Sequence, residues 1–309
     1  MSDYRDRLKT LSQKTIFFAL MQLGAAVRRM SRRQARHAAS LIGDFMHSVL
    51  KIRRPLVYAN LARTFPDKPP AAIARIARQV YRNTAVNLIE VLRLPLIKSF
   101  KDAAALVDID ARDFLGKTRD RNKGAVVVSA HYGNWELMAV AVGFLVTPVT
   151  VIVKMIHNQM VDRLMNEWRS IPGNRTIYDW QALREGLKIL HAGGVLAILG
   201  DQSDPNAINF ADFLGRKASI FHGAAFFALK ANVPLFVVMC QRNRDGQRYT
   251  IRIHEIDTSD LTCCKQDIQT LALRYTKIIE EYIRQCPEEW FWLHDRWKRT
   301  PDLTHVSTQ

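Results

Sequence analysis

The stretch AVVVSAHYGNWEL, Ala125 to Leu137, decides how the rest of the chain is read. It opens as a short apolar run of the kind that forms a buried strand. It closes on HYGNWEL, which is neither clean strand nor clean helix. Gly133 permits a tight turn and Asn134 is a suitable N-cap for a helix beginning at Trp135, so the stretch predicts strand, corner and helix. On a continuous helix, residues five apart point about 140° away from each other. A corner removes that obstacle and lets Glu136, in the first helical turn, fold back to hold one imidazole nitrogen of His131 while the other faces a substrate. Ligands of open α/β sheets bind beyond the carboxyl ends of strands, which is where His131 falls.

Outward from this corner, strand-like apolar runs recur at AVVVSA (125–130), VTVIVK (149–154), VLAIL (195–199), PLFVVMC (234–240) and YTIRIHEI (249–256). Helical stretches such as VDRLMNEWR, DWQALREGLKILHAGG and GAAFFALKA lie between most of them. The alternation predicts an α/β layer structure with a mixed, mostly parallel sheet flanked by helices. Before it the chain reads helical: ARHAASLIGDFMHSVL and AAIARIARQVYRNTAVNLIEVLRL carry apolar residues at three and four spacing around a PDKPP break. The expected organisation is a helical, membrane-associating region over 1–95 and a catalytic α/β region over 96–309, built as one continuous unit.

The run IFFALMQLGAAV, Ile16 to Val27, resembles a secretion signal, but Asp3 and Asp6 sit in the would-be basic leader and RRMSRRQAR follows at once. As a helix its twelve residues reach roughly 18 Å, short of a hydrocarbon core of about 30 Å. Two readings stay open: a helix lying in the headgroup layer of an anionic leaflet, or one packed on the protein's own core.

At 309 residues and 48% hydrophobic, the chain is long enough to bury a substantial core. Lys plus Arg is 45 against 29 for Asp plus Glu, a net charge of +16 that points to anionic partners. Basic residues are spread over the chain with no recognised nucleic-acid motif, so a nucleic-acid-binding protein is a remote alternative. Cys240, Cys263, Cys264 and Cys286 form no CxxC pair, which suggests neither a zinc site nor a disulfide framework and fits a reducing cytoplasmic setting.

A histidine beside a carboxylate suits hydroxyl attack on an activated carbonyl. Imidazole, with an ordinary pKa of about 6.5, takes the alcohol proton, and the carboxylate fixes its tautomer and supports the imidazolium. The spacing alone is weak evidence, because His157 and Asp162 form a rival pair after another strand-like run. Spacing does not choose between them.

HYGNWE at 131–136 resembles the first motif of the lysophospholipid acyltransferase superfamily, in the form found in bacterial lipid A late acyltransferases. The likeness extends to RRPLVYANLARTFPD at 53–67, VIVKMIHNQMVDRLMNEWRSIPGN, GDQSD at 200–204, FADFLGRKASIFHGAAFFALKANVP and the ending PEEWFWLHDRWKRTP, in the family's order. The chain departs where the second block has Val153, Lys154 and Met155, where the glycine block reads Asp-Phe-Leu-Gly, and where a long N-terminal anchor is reduced to the run at 16–27.

The resemblance implies an acyl carrier protein-dependent acyltransferase. His131 would deprotonate a hydroxyl of a glycolipid acceptor, Glu136 would orient it, and the oxygen would attack the acyl carrier protein thioester. No metal or organic cofactor is implied. Backbone amides near Gly133 or Gly215 are the candidate oxyanion donors. By family position, Lys154 and Arg169 would meet phosphate or sugar acids, and Arg216, beside Gly215, an acidic partner. Asn134 is a substrate contact or only a cap, and Asp201 and Gln202 lie at a strand end where function is favoured. His294, Arg296 and Trp297 read as structural, and His157 as a bystander. The expected setting is the cytoplasmic face of the bacterial inner membrane, with the protein attached peripherally or monotopically. The acceptor is a lipid A precursor or, alternatively, an aminolipid or phosphoglycolipid.

Overall fold

The computed structural model describes residues 2–120, 124–204 and 209–300, with the backbone alone for 2–10 and 117–120. Met1 and residues 301–309 of the two expected regions, with Pro301 of the carboxyl ending, lie outside the described residues.

Four helices come first: α1 (Ser2–Arg29), α2 (Arg32–Ser48), α3 (Arg54–Thr64) and α4 (Pro70–Val91). Each boundary has a local cause. Ser31 and Gln34 form a reciprocal capping box at the start of α2. Prolines stand in the first turns of α3 and α4, where the missing N–H costs nothing. Helix α2 buries Ala35, Ala39, Gly43 and His47, one per turn, against α4. The helices cross so closely that a Cβ on Gly43 would stand 2.5 Å from the Cα of Arg82. Among the described residues no helix is long and apolar enough to cross a membrane. The run at 16–27 divides between its two readings: Gly24 and Val27 are buried, while Ile16, Phe18 and Leu23 face solvent.

The chain then passes through α5 (Phe100–Ala104), β1 (Val107–Ile109) and α6 (Arg112–Asp120) into β2 (Ala125–Ser129). It continues as α7 (Trp135–Leu145), β3 (Thr150–Val153), α8 (Gln159–Ser170), β4 (Arg175–Tyr178), α9 (Ala182–His191) and β5 (Val195–Leu199). A hairpin, β6 (Phe210–Phe213) and β7 (Arg216–Ser219), precedes α10 (Gly223–Ala231), β8 (Leu235–Arg242), β9 (Tyr249–Ile256) and α11 (Lys265–Gln285).

Seven strands form one sheet in the order β1-β9-β8-β2-β5-β3-β4. Every pairing is parallel except β8 with β9. The five strand runs read from the sequence all lie in this sheet. Three features were not legible there: β1 is only three residues long, β4 is polar (RTIY), and β6–β7 sit apart as a two-stranded hairpin. Strand β2 is central and alternates between two cores. Val126 and Val128 face the side of α10 and α11, and Ala125 and Val127 face the side of α7. After β2 the chain runs to β3 and β4 on one flank, returns to β5, and later reaches β8 on the other flank. The carboxyl end of β2 therefore stands at the point where the winding reverses, the usual place for a crevice in such sheets.

Candidate active site

The corner after β2 is held rigidly. Gly133 has φ of +59°, and a Cβ there would meet the carbonyl oxygen of Cys240 at 1.8 Å, so only glycine fits. Its amide donates to the Glu289 carbonyl (2.9 Å), and its carbonyl accepts from Asn87 of α4. The Asn134 side chain caps α7 by accepting from the Leu137 amide (3.0 Å) and donates to Glu90 (2.9 Å). Glu90 is buried. Burial raises its pKa, but Arg36, Arg242 and Arg32 outweigh this and hold it below the usual carboxylate range.

His131 itself is bound by Asp201. Its Nδ1 lies 2.8 Å from one carboxylate oxygen, and its backbone amide donates to the other at 3.0 Å. Trp290 Nε1 donates to that second oxygen at 2.8 Å. Asp201 is buried, which raises its pKa, yet the charge and hydrogen bonds of His131 and the bond from Trp290 bring it below the ordinary value. An ionised carboxylate only accepts, so Nδ1 is the donor, and in the neutral ring Nε2 is the nitrogen that presents a lone pair. The Gln202 amide nitrogen donates to that lone pair at 3.3 Å. Trp135 packs against the ring, centroid to centroid 4.9 Å, and fixes its plane.

Glu136 does not hold the imidazole. It forms a two-pronged ion pair with Arg169 of α8, at 2.6 and 2.8 Å, and so ties the start of α7 to the end of α8. The expected orienting carboxylate is replaced by one from a neighbouring strand, for a reason of register. Ser129 and Leu199 are partners in the parallel pair β2–β5, and His131 and Asp201 each follow two residues later. Side chains at the same offset beyond paired strand ends meet, whereas Glu136 has turned onto the helix and faces α8.

Beside His131 lies a cavity of about 410 Å³ between α7 and the sheet. Its body is apolar, lined by residues such as Val127, Val142, Val151, Val238 and Phe114. His131, Gln202, Lys154, His294 and the paired Glu136 and Arg169 line its polar parts. Burial pushes the His294 imidazole down to about 4, which keeps it neutral at ordinary pH. Among the described residues no group of three or more His, Cys, Asp or Glu could hold a metal ion.

Other sequence candidates lie elsewhere. Gly215, at φ of +80°, forms the tip of the β6–β7 turn and does not line this cavity. Arg216 also stands outside it: its guanidinium lies 3.4 Å from the ring centre of Trp297 and donates to Asn60 and Thr64. Both leave the set of cavity contacts because the hairpin packs on the carboxyl-terminal segment. The Gly133 amide is already engaged and Gly215 is remote, so neither of these two amides serves a cavity oxyanion. The rival pair is also separated. Asp162 accepts from the Ile156 amide and the Tyr178 hydroxyl, while His157 is exposed. Arg296 is buried 4.7 Å from the Phe213 ring centre. Sequence reasoning did not single out Trp290 or Glu90. Trp290 reaches Asp201 because the Phe291 amide donates to the His131 carbonyl and Trp290 bridges Tyr132, 158 positions away in the chain.

The family described as bacterial lipid A biosynthesis acyltransferase matches residues 4–299. The lipid A biosynthesis lauroyltransferase of Escherichia coli (strain K12) is 22% identical over 263 residues, 84% of each chain. The palmitoleoyltransferase of the same strain is 24% identical over 277 residues, covering 84% of this chain and 83% of the relative. The phosphatidylinositol mannoside acyltransferase of Mycolicibacterium smegmatis is 26% identical over 246 residues, 77% of each chain. A match over nearly the whole length, joined to a strand-end histidine above an apolar cavity, means that this chain is an acyltransferase and belongs to the bacterial lipid A biosynthesis acyltransferase family.

Proposed function

We propose that the protein transfers a fatty acyl chain from an acyl carrier protein thioester to a hydroxyl of a lipid A precursor at the cytoplasmic face of the inner membrane. The observation that carries this reading is the Asp201–His131 pair opening onto an apolar cavity. The acyl chain occupies the cavity with its thioester carbonyl at the polar end. The acceptor hydroxyl displaces the Gln202 amide from His131 Nε2 and gives that nitrogen its proton. The oxygen adds to the thioester carbonyl, and the tetrahedral intermediate then breaks its C–S bond. The departing thiolate takes the proton from the imidazolium, so the enzyme ends as it began. Asp201 holds the reactive tautomer and stabilises the imidazolium. Glu136 acts through Arg169, as a positioning residue for α7. Once displaced, the Gln202 amide is a donor at the polar end for the developing oxyanion, together with neutral His294. Lys154 at the cavity and the +16 chain suit an acidic carrier and a phosphorylated acceptor.

A second acceptor class, a phosphoglycolipid, is favoured by the likeness to a phosphatidylinositol mannoside acyltransferase. Transfer from a panel of acyl carrier protein thioesters to a Kdo-bearing tetraacyl lipid A precursor tests the first reading. Wild type and His157→Ala are expected to transfer, with His131→Ala slower by about 10³-fold. Transfer to a phosphatidylinositol mannoside but not to the lipid A precursor would move the reading to the second acceptor.

A further inference from the structure

Helix α2 inverts the usual arrangement of a globular-protein helix. Its buried positions carry small residues and a histidine, Ala35, Ala39, Gly43 and His47, and of its large apolar side chains Met46 packs on the core while the others stay exposed. Leu41, Ile42, Phe45 and Val49, followed by Leu50 and Ile52 in the turn to α3, are between 37% and 61% exposed. Six large apolar side chains within twelve residues form a patch that water does not favour and that normally marks a binding surface. The turn is held in an uncommon shape, with Lys51 and Arg53 both in the left-handed region at φ of 50° and 51°. The charge around the patch has one sign. Between residues 31 and 66 the sequence has seven arginines and lysines and a single acid, Asp44. Asp44 is neutralised by Arg78 and Arg82.

We propose that the outer face of α2 and the α2–α3 turn dock the protein on an anionic phospholipid bilayer, separately from the run Ile16–Val27. Apolar side chains enter the acyl boundary while Arg33, His37, Lys51 and Arg53 meet the headgroups, the division of labour of an interfacial helix. A basic rim repels a second copy of a chain that itself carries +16. The surface also adjoins the catalytic wall, because Arg53 donates to the carbonyl of Leu293 (3.0 Å), next to His294 at the cavity. This surface deepens the lipid-acceptor reading, in which the acceptor resides in such a bilayer, but its test needs no acyl transfer.

The test is flotation of the full chain with phosphatidylcholine vesicles, with and without phosphatidylglycerol. Binding is expected to require the anionic lipid. The double variant Phe45→Ser/Val49→Ser, with α1 intact and an unchanged thermal unfolding curve, is expected to bind at least about tenfold more weakly. Independently, Phe45→Trp is expected to show fluorescence quenching by brominated acyl chains beyond that of wild type. Equal binding by wild type and double variant would overturn the proposal, as would binding indifferent to phosphatidylglycerol or absence of extra quenching. Loss of acyl carrier protein binding or of self-association in the double variant, with vesicle binding intact, would assign the face to a protein and overturn it as well. Failure of the acyltransferase reading would leave these vesicle results unchanged.

Discussion

Two buried carboxylates approach the corner at 131–136 from opposite sides, and their surroundings separate chemistry from architecture. Glu90 of α4 faces Arg32, Arg36, the Tyr249 hydroxyl and the Asn134 amide, with the Arg242 charge close by. It is enclosed by cations, does not line the cavity beside His131, and has no partner that could exchange a proton with a substrate at neutral pH. Asp201 meets one titratable group, His131, whose far nitrogen opens onto the cavity. A saturated buried charge network fixes a shape. A buried carboxylate with a single imidazole partner beside open space can do chemistry. Charge alone does not locate a site; what distinguishes the two is whether the partner titrates and whether it faces a space that a substrate can enter.

This contrast can be broken by isosteric changes. Asp201→Asn keeps the packing but removes the charge that holds the His131 tautomer, and is expected to lower acyl transfer by about 10²–10⁴-fold with unfolding unchanged within about 1 kcal/mol. Glu136→Gln, which weakens the tie to Arg169 but leaves the His131–Asp201 pair in place, is expected to lose distinctly less in the same assay. Equal losses would return Glu136 to the role of direct imidazole partner. Glu90→Gln should do the reverse. It leaves buried guanidinium groups uncompensated, so a loss of roughly 3–5 kcal/mol in denaturant unfolding is expected, with activity per folded molecule affected less than in Asp201→Asn.

A smaller effect concerns pH. His294 titrates at about 4 in the folded chain because burial disfavours its charge, against about 6.5 when unfolded. The unfolded state therefore binds the proton first, and stability should fall as pH drops from 6.5 towards 4. In thermal unfolding across that window, His294→Gln is expected to flatten the acid slope relative to wild type. An unchanged slope would assign the trend to His47, His222 and His254, whose values burial also lowers.

Much of this was legible in single stretches of sequence. The run of valines before His131, the turn glycine and the capping asparagine are local devices, so strand, corner and helix could be read in order. Periodicity likewise marked the runs that form α2 and α4, and the inward face of α4 does repeat at helical spacing. The short strand β1 and the polar strand β4 escaped, because three residues carry no period and RTIY carries little apolar signal. The carboxylate partner escaped for a different reason. From the sequence, Glu136 was five residues from His131 and Asp201 seventy, and only the pairing of β2 with β5 makes the distant one the neighbour.

The class of elements, their order, the family and the histidine at a strand end were readable from local sequence, because propensity, capping and motif wording act over a few residues. Packing of the whole chain set which carboxylate meets that histidine, that Trp290 donates to this carboxylate, that Arg216 stacks on Trp297 instead of lining the cavity, and that α2 leaves Leu41, Ile42 and Phe45 exposed. Those outcomes depend on strand order and on how closely helices cross, which are properties of the packed whole.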